Sequence, residues 1–204
     1  MHWKTLTYFG DSMLLIPTAV IIALILPWKS DNRLTVFYWI VAFGLAGLTV
    51  SISKILFLGF GIGSARFNFT GFSGHSAMSA TLWPVMLWLI SGRWSAKWRI
   101  AAIGVGYLIP LMVGFSRLVI HAHSKSEVAT GLLLGFTLST AFLISQRRTA
   151  LKGFSWPQIG AALLVPFLLM GHGRVATTQQ FLERFSASLA GLEKPYTRAD
   201  LFRQ

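Results

Sequence analysis

The sequence predicts an all-α, polytopic membrane protein with six transmembrane helices. Three observations point there. Of 204 residues, 54% are hydrophobic and only 12% are charged, where a soluble domain of ordinary composition carries about 25%. The mean hydropathy is +0.62. The apolar residues also fall in separate runs divided by short polar or basic gaps, so the chain crosses the bilayer repeatedly.

The runs cover residues 12–26, 36–58, 76–90, 100–115, 128–144 and 159–170. Several are shorter than the roughly 20 residues of a perpendicular spanning helix, so their ends extend into the flanks. The first run follows Lys4 and lacks a small-residue cleavage site, which marks it as retained. Residues 1–175 read as the six-span domain and 176–204 as an amphipathic tail. In that tail Leu182, Phe185, Leu189 and Leu192 recur three to four apart on one helical face. An amphipathic helix on the membrane surface is the simpler reading, and a lid across a site is the alternative.

Six spans place loops one, three and five on one side, and loops two and four on the other with both termini. The first set packs Lys29, Arg33, Arg93, Lys97, Arg99, Arg147, Arg148 and Lys152 into short gaps flanked by Trp28, Trp94, Trp98 and Trp156. Short basic loops with interfacial tryptophans belong in the cytoplasm. The expected location is the plasma (inner) membrane, with loops two and four facing the periplasm or outside.

The net charge of +12 is dispersed over loops and tail and builds no continuous basic face, which argues against a nucleic-acid partner. The chain has no cysteine. Disulfides, zinc thiolate sites and thiol nucleophiles are therefore excluded.

Loops two and four hold nearly all the reactive side chains. The first contains Lys54, Arg66 and Ser73-Gly74-His75; the second reads "SRLVIHAHSKSEVATG" from Ser116. Cations gathered in an apolar protein, with Asp11 and Glu127 the only nearby acids before the tail, imply an anion brought from outside. A phosphoryl group fits, because Lys and Arg stabilise the charge on its oxygens. Ser73 and Gly74 open the third span, where free N–H groups and the helix dipole favour an anion. Neutral imidazole is a nucleophile at phosphorus, and a second histidine can protonate the leaving oxygen. Glu127 lies four residues after His123, a spacing that lets a carboxylate fix the ring tautomer.

These residues resemble the type 2 phosphatidic acid phosphatase family, integral-membrane lipid phosphatases whose helical-bundle core is shared with bacterial acid phosphatases and vanadium haloperoxidases. The family pattern runs Lys with a downstream Arg-Pro, then Pro-Ser-Gly-His, then Ser-Arg, five residues, His, three residues, Asp. Here Ser73-Gly74-His75 matches the middle motif, and Ser116-Arg117, His123 and Glu127 match the last. Phe72 and Phe67 stand where prolines would, Glu127 replaces aspartate, and Lys54 and Arg66 are separated by eleven residues.

The resemblance implies hydrolysis of a lipid-linked phosphate monoester or pyrophosphate through a phosphohistidine. It assigns His123 as nucleophile, His75 as acid and base, and Glu127 as its support. Lys54, Arg66, Ser73, Gly74 and Arg117 would bind phosphate, with no metal or other cofactor. The expected partners are a lipid phosphate and the bilayer. The alternatives are a phosphotransferase using the same intermediate and a non-catalytic lipid-binding or transport protein. Single residues have ordinary readings too. Ser73 could be only an N-cap, Lys54 could snorkel from its helix end, and Glu127 could close a capping box with Ser124. His121 reads as a neighbour without a direct role.

Overall fold

The computed structural model describes residues 3–155, 157–158, 160 and 177–203. Among them the chain is all-helical, with no strand and two isolated bridges, Ser30 with Leu151 and Ser64 with Phe69. The elements are α1 (Trp3–Thr7), a 3-10 turn (Tyr8–Gly10), α2 (Ser12–Lys29), α3 (Leu34–Phe60), α4 (Gly74–Ile90), α5 (Ala96–Val119), α6 (Lys125–Ser145), α7 (Thr177–Leu189) and α8 (Arg198–Leu201).

Helices α2 to α6 coincide with the first five apolar runs and outreach them at most ends, as the need to cross a bilayer demands. Four stretches, Thr5–Lys29, Leu34–Phe60, Ala96–Val119 and Lys125–Ser145, are long and apolar enough to span. The protein is thus a multi-pass membrane protein. The sixth run, 159–170, lies outside the described residues.

The third run differs in character. Helix α4 has 17 residues, about 26 Å at 1.5 Å per residue, and most of its side chains are buried. It is the axis of the bundle, with α2, α3, α5 and α6 packed around it. Small residues on its first half, Ser76, Ala77, Ser79, Ala80 and Thr81, permit close neighbours. Gly135 of α6 uses that room: a Cβ there would overlap the Ala77 carbonyl oxygen and crowd the Ala80 side chain. The other half is a core of Trp39, Leu82, Trp88, Leu89 and Phe142, with edge-to-face ring contacts from Phe142 to Trp39 and Trp88.

Two features set the site's position. Serines start α4 and α6: Ser73 and Ser124 accept from N–H groups of the first turn, and Ser73 N–H donates to the Glu127 carbonyl at 3.1 Å, which holds both helix starts at one end of the bundle. The connection between α3 and α4 folds back as a tight loop. Paired bonds between Ser64 and Phe69, both 2.9 Å, close it. Gly71 has φ +134°, and its missing Cβ lets the loop lie against Ser53 and Lys54 of α3.

The tail does more than lie at a surface. Helix α7 packs on α3, where Leu182 joins Phe57, Leu58 and Leu201 in a second apolar cluster. Phe185 and Leu189 of that periodic face, and Phe181 beside it, remain exposed. The face predicted to bury in lipid is therefore shared between protein and surroundings, because Leu182 meets the end of α3 first.

Candidate active site

A cleft of about 830 Å³ opens between the starts of α2, α4 and α6, the end of α3 and the tail. Lys54, Gly74, His75, Arg117 and His123 all line it. The two histidines come from different loops, 48 residues apart in sequence, yet share one cavity. Its walls also carry Ile16, Val50, Phe57, Leu58, Met78 and Leu182, so charged and apolar groups share one lining.

His123 is oriented from behind. Its Nδ1 lies 2.8 Å from Oε2 of Glu127. An ionised carboxylate only accepts, so Nδ1 carries the proton and Nε2 holds the lone pair. The pKa of His123 is pushed down, first by burial and further by Lys54 and Arg117, against an upward pull from Glu127. The neutral ring is favoured.

Glu127 is fully buried and every lone-pair direction is used. Its Oε1 accepts from Thr70 N–H at 2.9 Å, Thr70 Oγ1 at 2.6 Å and Arg198 Nη2 at 2.8 Å. Its Oε2 accepts from His123, from Ser124 N–H at 3.1 Å and again from Arg198 Nη2 at 2.8 Å. The capping box with Ser124 and the bond to His123 therefore coexist, since one carboxylate oxygen serves both. Sequence spacing presented these as competing duties.

The cations divide. Arg117, at the end of α5, faces the cleft, and its buried Nε has no hydrogen-bond partner among the described residues. Buried donors are normally satisfied, so this one stands open to an acceptor. Lys54 also reaches the cleft, and its Nζ donates to Gln179 Oε1 of α7 at 2.6 Å. Arg66 does not reach it. The loop closed by Ser64 and Phe69 turns Arg66 outward, where it is exposed with its guanidinium 5.5 Å from the Phe67 ring.

Ser73 is likewise withdrawn. Its hydroxyl is buried, 3.0 Å from Ser76 Oγ and accepting from Ser76 N–H, so it caps α4 and does not line the cleft. Gly74 does line it as the first residue of α4, where first-turn N–H groups lack intrahelical partners. His121 is exposed at φ +55°, its Nδ1 3.1 Å from the Leu118 carbonyl, and stays outside the cleft.

Arg198 was not among the sequence-predicted residues. The one local signal is "TRAD", residues 197–200, in which Thr197 and Asp200 form a capping box that starts α8 and so fixes Arg198 in a helical first turn. Nothing local links that turn to Glu127.

Comparison with known proteins places this arrangement. The chain is 43% identical over 207 residues to a Klebsiella pneumoniae protein described as an uncharacterized 22.5 kDa protein in the cps region, covering 100% of this chain and 99% of that one. The family model of the PAP2 superfamily matches residues 60–150. The chain belongs to the PAP2 superfamily. The PAP2 match contains the Ser73–His75 motif and the segment from Ser116 to Glu127, and leaves Lys54 and Arg198 outside. The PAP2 fold is seen also in the crystal structure of a transmembrane PAP2-type phosphatidylglycerolphosphate phosphatase from Bacillus subtilis. That structure matches with a TM-score of 0.56 at 20% identity, over 72% of this chain and 75% of that one. Membership of PAP2 supports a phosphatase.

Proposed function

We propose that this PAP2 protein hydrolyses a lipid-linked phosphate monoester or pyrophosphate, without a metal, at the extracytoplasmic face of the membrane. The observation that carries the reading is the bond from His123 to Glu127, which leaves Nε2 of a neutral ring available in a cleft shared with His75, Lys54 and Arg117.

Burial, then Arg117, His123 and Lys54, hold the His75 pKa down to about 3, so His75 takes up its proton as the phosphate dianion binds beside it and offsets those charges. The Nε2 lone pair attacks phosphorus as the bond to the leaving oxygen breaks, and His75 gives that oxygen the proton. His75 then takes a proton from water, whose oxygen attacks phosphorus and breaks the P–N bond. Inorganic phosphate leaves, and both rings return to their starting state. Glu127 supports the positive ring that forms on His123, and Arg117 and Lys54 hold the phosphoryl oxygens. The apolar walls suit the chain of an amphiphile beside the scissile bond. The phosphatidylglycerolphosphate named for the Bacillus protein belongs to this substrate class.

Purified protein in detergent with a chelator, offered several lipid phosphates, tests this. Released inorganic phosphate that disappears in His123→Ala supports the reading. Phosphate recovered on a lipid acceptor points to a transferase, and binding without turnover on any lipid points to a non-enzymatic role. A reporter fused after Arg148 and found outside the cell would reverse the orientation.

A further inference from the structure

We propose that Arg198 is a positioning residue for this site: the C-terminal tail supplies it to hold both oxygens of Glu127, so that Glu127 holds Nδ1 of His123. The kinetic consequences rest on the phosphatase reading; the geometric ones do not.

A fully buried carboxylate needs a matching charge. His123, if neutral, supplies none. Lys54 is bonded to Gln179, and Arg198 is the cation within ion-pair distance of Glu127 among the described residues. The guanidinium is itself fixed from two sides. Nη2 contacts both Glu127 oxygens at 2.8 Å and Thr70 Oγ1 at 3.4 Å. Nη1 donates to the Asn68 carbonyl at 3.3 Å and to Asn68 Oδ1. Arg198 thus ties the α3–α4 loop to α6 through the residue that orients the nucleophile.

The division of labour on the carboxylate follows. Each oxygen meets three donors, with Arg198 Nη2 common to both; Thr70 fixes the Oε1 side, and that keeps Oε2 on His123 and Ser124. With its charge matched by the guanidinium, Glu127 serves His123 as an acceptor and leaves the ring proton on Nδ1. A planar fork with two anchored nitrogens does this better than a point charge. The tail reaches the cleft a second time through Gln179, which accepts from Lys54 and donates to Glu183 at 2.9 Å. One segment therefore touches both the carboxylate and the cation arms of the site. Its own docking has a separate basis, with Leu182 and Leu201 buried against Phe57 and Leu58, and Tyr196 N–H donating to the Leu58 carbonyl at 2.8 Å.

The test uses the full chain in detergent, labelled with 15N-histidine, the His123 signals being assigned by their loss in His123→Gln. The wild type should show a protonated, strongly downfield Nδ1–H and an unprotonated Nε2. In Arg198→Gln that proton should move upfield or broaden away, and kcat should fall on the order of tenfold to a hundredfold with KM changed less than about twofold. Arg198→Lys should restore part of both. Amide exchange throughout residues 177–201 should keep its wild-type rate in Arg198→Gln, since Leu182 and Leu201 dock the tail on their own account; Arg203→Ala, an exposed change just past α8, should match wild type in every readout. A folded Arg198→Gln protein with the wild-type His123 signal would overturn the proposal. So would Arg198→Gln losing that signal only together with faster amide exchange throughout residues 177–201, because Arg198 would then merely fasten the tail. Wild-type protein that releases no phosphate from any lipid phosphate removes the phosphatase reading, and the His123 signal still decides the role of Arg198.

Discussion

Nδ1 of His123 and Oε2 of Glu127 lie 2.8 Å apart, one in the turn before α6 and the other in its first helical turn. The helix start thus brings the pair within reach locally, and the long-range bonds from Thr70 and Arg198 fix the carboxylate that completes it. This separates two contributions that substitution can measure.

Glu127→Gln keeps the shape and removes the charge. It should lower kcat by about 10² to 10⁴-fold, as loss of a histidine-orienting carboxylate does elsewhere, and should lower the thermal midpoint by leaving Arg198 unmatched. Glu127→Asp should retain more activity than Glu127→Gln, because the charge stays while the reach to Thr70 and Arg198 shortens. Equal turnover in the two variants would contradict the assignment.

Burial, Lys54 and Arg117 outweigh Glu127 and hold the His123 pKa below its ordinary 6.5. The folded ring therefore stays neutral to a lower pH than the unfolded one. Its contribution to stability is complete above about pH 6.5 and is lost as pH falls through the lowered folded value. The acid limb of kcat/KM should lie below pH 6.5 for the same reason. An NMR titration placing the His123 midpoint above 6.5 would refute this.

Arg117 and Arg66 should behave differently although both were candidates for phosphate. Arg117→Ala should reduce kcat/KM by about 10² to 10³-fold, the range seen when one charge-stabilising donor is removed. Arg66→Ala, an exposed change outside the cleft, should alter it by less than about threefold. Steady-state kinetics on one lipid phosphate compares them directly.

The docking of the tail is testable without substrate. Leu182 is 7% exposed between Phe57, Leu58 and Leu201, and Leu182→Ala should weaken the docked state by about 2–5 kcal/mol. Faster amide exchange throughout residues 177–201 would report it, while exchange in α4 should be unchanged.

Gly135→Val should be far worse than Gly104→Ala. A Cβ at Gly135 overlaps the backbone of α4, whereas one at Gly104 meets nothing within 4 Å. Overpacking of this kind costs about 1–3 kcal/mol or more, and the thermal midpoint in detergent is the readout.

Much of this molecule was legible in its sequence. Hydropathy placed α2, α3, α5 and α6 because lipid imposes length and composition on each helix separately. Motif spacing singled out His75, Arg117 and His123, which share one cleft, and the His123–Glu127 pair, because helix starts and an i,i+4 pair are local geometry. Tertiary structure decided the rest. It made α4 the buried axis, took Arg66 and Ser73 out of the cleft, kept Lys54 in it, and brought Arg198 to a carboxylate 71 residues away. A contact of that separation depends on how the α3–α4 loop folds and where the tail docks, and neither leaves a periodic mark in the chain.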